Sequence, residues 1–139
     1  MRDIYALTKP PINADALCYD EVNTSRGLKV PFVPSIITPA IEKPLRSGRY
    51  EAGERGHLEN LLCADDVVLD LGSGLGLVAA TAAKHAQRVI SVEAQPDLLP
   101  LVLETWALNE VSNAALVHGV VTTASGPPAP YYVRRDFWA

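Results

Sequence analysis

Apolar positions recur with two different periods along this chain, and the changes of period mark its elements. Between residues 51 and 62, Leu58, Leu61 and Leu62 fall at helical spacing among polar residues. That pattern predicts an amphipathic helix ending near Cys63-Ala64-Asp65. Val67-Val68-Leu69-Asp70-Leu71 is short, apolar and rich in β-branched residues, which predicts a strand buried on both faces of a parallel sheet. A glycine-rich turn follows. Residues 77–86 then predict a helix whose Ala79, Ala80, Ala82 and Ala83 let it lie close against a sheet. Arg88 to Glu93 reads as a second strand, and Pro96 sits where a further helix starts, at its first turn. That helix continues over 98–108 with Leu99, Val102, Leu103 and Trp106 on one face. Ala114 to His118 reads as a third strand. Strands alternating with helices in this order predict an α/β fold, a Rossmann-like open parallel sheet with right-handed crossovers.

The flanks read differently. Residues 1–47 hold Pro10, Pro11, Pro31, Pro34, Pro39 and Pro44, a density that interrupts helices and sheets. They predict an irregular N-terminal arm, with short strands at Lys29-Val30 and Phe32-Val33, preceding a domain over 48–139. After the third strand, residues 123–130 read as a Ser/Gly/Pro loop, and Tyr131-Tyr132-Val133 with Phe137-Trp138 as strand pieces of a hairpin. With three parallel strands the sheet stops short of completion, and the motif strand 67–71 is expected at an open edge. That edge needs a cover: the tail hairpin, a second copy in a homo-oligomer, or the continuation of a longer protein.

Composition narrows the partners. The 139 residues suffice for one domain, and 48% hydrophobic with 20% charged residues is the balance of a globular protein. Twelve Lys and Arg against sixteen Asp and Glu give a net charge of −4, which offers no general attraction to nucleic acid. No apolar run approaches a membrane span and no apolar segment follows Met1-Arg2-Asp3-Ile4-Tyr5, so a cytoplasmic protein is expected. Cys18 and Cys63 stand far apart, and His57, His85 and His118 form no ligand pattern, so neither a disulfide nor a metal is expected.

The chemistry concentrates at Asp70-Leu71-Gly72-Ser73-Gly74-Leu75-Gly76, between the first strand and its helix. Glycines there permit positive φ in a tight turn and let a ligand approach the backbone, while the helix aims its first amides at the same spot. A dinucleotide site uses GxGxxG, but here the third glycine is at 76 and position 77 is Leu. Asp70 would also repel a pyrophosphate, whereas it can reach the cationic amino end of S-adenosylmethionine. The spacing therefore favours S-adenosylmethionine over NAD(P) or FAD. Glu93, 17 residues past Gly76 at the end of the second strand, can accept both ribose hydroxyls of an adenosine, and Ala94 and Gln95 can line that pocket. Gly119, after His118, falls where the adenine ring is expected.

These residues also carry a resemblance. The run Leu45-Arg46-Ser47-Gly48-Arg49-Tyr50-Glu51 with Glu54, then Val67 to Gly72, Val92-Glu93-Ala94 with Pro96, and Leu108-Asn109, resembles the FkbM-type methyltransferases. The likeness runs from about Ile41 to the end of the chain. It implies S-adenosylmethionine-dependent O-methylation of a small-molecule or saccharide hydroxyl. It also implies that Tyr50, Glu51 and Glu54 sit over the methionine end of the cofactor, with Asp70, Gly72, Ser73, Gly74 and Gly76 beneath it and Glu93 on its ribose. Members of that family run on through further strands that supply the acceptor pocket. A non-catalytic cofactor-binding or dimerisation module is the alternative from another class, and an NAD(P)-dependent oxidoreductase the less favoured one. No catalytic base can be named; His57, Asp97 and His118 qualify by residue type alone.

Overall fold

The structure is a computed structural model that describes residues 17–123. Two sheets and four helices share one apolar core. β1 (Val22–Ser25) and β2 (Leu28–Pro31) form an antiparallel hairpin. Its turn is made by Arg26 and Gly27, both at positive φ (49° and 79°), the primed-turn geometry that matches strand twist. α1 (Pro39–Arg46) and α2 (Ala52–Leu61) follow. Then come β3 (Val67–Leu71), α3 (Leu77–Ala83), β4 (Arg88–Glu93), a 3-10 turn (Pro96–Leu98), α4 (Leu99–Leu108) and β5 (Ala114–His118). The three later strands pair in parallel in the order β3-β4-β5, and they begin and end where the sequence pattern places them.

The N-terminal region departs from the expected irregular arm. Leu28, Val30, Val33, Ile37, Ile41 and Leu45 are buried in the same core as Leu77, Val89 and Leu101, so the hairpin and α1 belong to the domain. Proline density misleads here because two of these prolines, Pro31 and Pro39, occupy tolerated places. Pro39 opens α1, where its missing N–H costs nothing. Pro31 ends β2, so Phe32-Val33 lies outside the strand. Asn109 fastens the hairpin to α4: its side chain accepts from the Lys29 amide (2.9 Å) and donates to the Lys29 carbonyl (2.7 Å). The tail hairpin expected at Tyr131–Val133 and Phe137-Trp138 lies outside the described residues.

The sheet has one covered side. Alternation puts Val68, Asp70, Val89, Ser91 and Glu93 on the side where α3 and α4 pack, and there the β4 residues are buried. Val67, Leu69 and Leu71 point the other way and are 61%, 61% and 56% exposed. The expectation that β3 is buried on both faces is thus not met among the described residues, although its place at the sheet edge is as expected. Among the described residues no helix is long and apolar enough to cross a membrane.

Candidate functional site

The carboxyl ends of β3, β4 and β5 meet at one end of the sheet, the end where open α/β sheets hold their ligands. Gly72 follows β3 with φ +96°, and its amide donates to the Val92 carbonyl (2.8 Å), which fixes the turn to the neighbouring strand. Gly74 and Gly76 also take positive φ (53° and 80°), and the Gly76 amide closes the turn onto the Ser73 carbonyl (2.7 Å). The glycines do different work. A Cβ on Gly72 would meet nothing within 4 Å, so that backbone faces open space. A Cβ on Gly76 would stand 3.0 Å from Trp106 Nε1 and 3.2 Å from Val102 Cγ1, and the same indole donates to the Gly76 carbonyl (3.1 Å). The first glycine leaves room for a ligand. The third lets α4 pack against the head of α3.

Two carboxylates bracket this turn. Glu93, buried at the end of β4, accepts from the Gly74 amide through Oε2 (3.1 Å) and from the Gln95 amide through Oε1 (2.8 Å). A carboxylate has about four acceptor sites, so two remain for hydroxyls of a ligand. Asp70 accepts from Ser91 Oγ (2.5 Å), and Ser91 Oγ is 2.6 Å from Ser73 Oγ, a buried relay from the turn to the acid. Burial raises the Asp70 carboxyl above its ordinary value; the Ser91 hydrogen bond opposes the rise and the Glu93 charge adds to it. Ser91 was not among the residues singled out by motif. Its signal in the sequence is a small hydroxyl at an inward position of an otherwise apolar strand.

A third acid arrives from the helical side. Glu51 precedes α2 in the left-handed conformation (φ 49°, ψ 30°), which is rare for a residue with a Cβ. Its carboxyl is pushed up to about 7, first by burial and then by the charge of Asp70, with Glu54 adding and Tyr50 and Arg55 opposing. Its Oε2 is sealed from solvent with no hydrogen-bond partner. Tyr50 is fully buried; burial first and then Glu51 raise its phenol, and the Leu75 amide of the glycine turn opposes the rise. Arg55 is 1% exposed, yet its guanidinium donates to Thr81 Oγ1 (3.0 Å) and to the Ser25 carbonyl (3.1 Å), not to these acids.

The structure therefore brings Tyr50, Glu51, Asp70, Gly72, Ser73, Gly74 and Glu93 to one place. Gly119 and Ala94 lie beside it: the Gly119 amide donates to the Glu93 carbonyl (2.9 Å), and His118 Nε2 is 3.3 Å from the Ala94 carbonyl. Glu54 is exposed and touches the group only through its charge on Glu51. His57, Asp97 and His118 are all exposed. A separate depression lined by Gln87, Arg88, Ser112 and Asn113 opens at the start of β4 and β5, the opposite end of the sheet.

No family model matches the chain. It is 39% identical over 75 residues to a protein-L-isoaspartate O-methyltransferase of Methanoculleus marisnigri, covering 54% of this chain and 33% of that protein. It is 35% identical over 66 residues to an uncharacterised protein of Methanocaldococcus jannaschii, covering 48% of this chain and 26% of that one. The chain thus spans between a quarter and a third of the length of these curated relatives. Among solved structures it resembles Trm5b from Pyrococcus abyssi, with a TM-score of 0.57, 21% identity, and coverage of 70% of this chain and 27% of that one. It also resembles a tRNA methyltransferase from M. jannaschii, with a TM-score of 0.50, 16% identity, and coverage of 72% and 29%. These likenesses show the fold: it is that of the class I S-adenosylmethionine-dependent methyltransferases.

Proposed function

We propose that this chain binds S-adenosylmethionine at the glycine turn and serves methyl transfer to the hydroxyl oxygen of a small molecule or saccharide. The observation that carries the reading is the convergence of Asp70, Glu93 and Glu51 on an open, positive-φ glycine turn, where the nearby Arg55 guanidinium is bonded to Thr81 and Ser25 rather than to these acids. Acids repel a phosphate and attract a cation, so the donor set suits a ligand that is cationic and free of phosphate. The FkbM-type pattern at Ser47 to Glu54 supports the finer family and the oxygen acceptor, and the O-methyltransferase relative agrees with an oxygen acceptor.

In this reading Glu93 accepts the ribose hydroxyls through its two spare lone pairs. Asp70, oriented by Ser91 and Ser73, faces the amino end, and Glu51 closes over it from the start of α2. The turn at Gly72 admits the ligand against the backbone, and Gly119 with Ala94 lines the adenosine side. When bound, the cofactor supplies an electrophilic methyl group on a sulfonium. The protein's share is alignment, because holding two reactants in line removes much of the entropic barrier. Incubating the chain with methyl-labelled S-adenosylmethionine and a panel of hydroxylated acceptors tests the reading. Transfer of label to oxygen supports it, and transfer to nitrogen or carbon acceptors alone contradicts the O-methylation part.

A further inference from the structure

We infer that Glu51 is the carboxyl group through which this site exchanges a proton when its ligand enters: the ammonium end of S-adenosylmethionine takes the place of the Glu51 proton, which leaves to solvent. The inference rests on the cofactor reading above and extends it to the protonation state of the empty and filled site. The balance is simple. A neutral carboxyl and an ammonium become a carboxylate–ammonium pair, and one H+ goes to buffer.

Three independent features of Glu51 support it. First, its Oε2 is out of solvent and has no hydrogen-bond partner, an arrangement that costs free energy unless the oxygen carries a proton or meets a donor. Second, the residue holds a left-handed backbone at φ 49°, a conformation unfavourable for a residue with a Cβ, which the fold maintains beside the turn. Third, the charges around it are unbalanced. From its own segment it faces Tyr50, Glu54 and Arg55; from β3 it faces Asp70. Glu93 of β4 acts in turn on Asp70 and Tyr50, and Arg26 of the hairpin turn acts on Arg55. Arg55 is the cation of this group that Glu51 feels, and its guanidinium is committed to Thr81 and Ser25. Two neighbouring acids in such a site do not both ionise readily without a cation between them. Burial and Asp70 accordingly hold the Glu51 carboxyl up at about 7, so a proton is present to be displaced just below neutrality.

Calorimetric titration in two buffers of unequal ionisation heat counts the protons released. For S-adenosylmethionine we expect up to about one proton released at pH 6 and an affinity that tightens roughly eightfold from pH 6 to 7.5. Methylthioadenosine, which keeps the adenosine but lacks the amino-acid end, is expected to bind with neither effect. In Glu51→Gln the release and the pH slope vanish for S-adenosylmethionine. Glu51→Asn, a residue at ease at positive φ, repeats the test, and methylthioadenosine binding by either variant certifies its fold. Equal proton release in the variants and the wild type overturns the inference and leaves the cofactor reading standing. Release of as many protons by methylthioadenosine overturns it too. Failure of both compounds to bind at every pH overturns the cofactor reading, and this inference with it.

Discussion

The two sides of the β3-β4-β5 sheet are built from the same kinds of residue and meet opposite surroundings. On the helix side, Val89 and Ser91 are fully buried beneath α3 and α4. On the other side, Val67, Leu69 and Leu71 of the strand that leads into the glycine turn lie more than half exposed. An apolar strand reports the surroundings it is suited to, and on this side none of the described residues supplies them. The candidate site residues follow the covered side. Asp70, Ser91 and Glu93 all alternate toward the helices, so the site is held by the half of the molecule that is packed.

The largest test of that contrast is a pair of truncations. Leu101→Ala, in the buried face of α4, is expected to cost about 2–5 kcal/mol in urea unfolding, whereas Leu69→Ala costs under about 0.5 kcal/mol. Comparable losses for the two would show that the bare face is covered in solution. The next effect is stabilising and depends on pH. Glu51 titrates near 7 in the folded chain against an ordinary 4.5, so the folded state holds its proton after the unfolded state has lost it. Stability from this group is therefore present at low pH and is lost as pH rises from about 4.5 through 7. Glu51→Gln should then raise stability at pH 8 by up to about 3 kcal/mol and change little at pH 4, measured by denaturant titration at both pH values.

Two glycine substitutions sharpen the division between ligand space and packing. Gly76→Ala meets both a positive φ and the Trp106 indole, so it should cost about 1 kcal/mol or more beyond Gly72→Ala, which meets positive φ alone. Thermal melts of the two variants check the order. Ligand binding is expected to suffer more in Gly72→Ala relative to its stability loss, because its new methyl group enters the open space beside the turn.

Much of this was legible from residues alone. The three parallel strands followed from the short runs at 67–71, 88–93 and 114–118 alternating with helical stretches, and the edge position of β3 followed from counting them. The glycine turn and Glu93 were found by spacing, and they lie together. The hairpin was hidden because the inward residues of β1 are Asn23 and Ser25, polar side chains that break apolar alternation. Its signal was the Arg26-Gly27 turn. α1 was hidden because Pro44 sits inside a helix, where prolines are normally expensive. The packing role of Gly76 was invisible for another reason: Trp106 is thirty residues away, and a motif read along the chain does not show what a distant helix lays against it.

The claim on which the account rests is that the acidic glycine turn selects a cationic adenosine ligand. Titrating the chain with S-adenosylmethionine and with NAD under the same conditions, and repeating both with Asp70→Asn, tests it most directly. The account predicts saturable binding of S-adenosylmethionine, weakened about tenfold or more in Asp70→Asn, and no binding of NAD. Binding of NAD in preference to S-adenosylmethionine, or affinity for S-adenosylmethionine indifferent to Asp70, would contradict it.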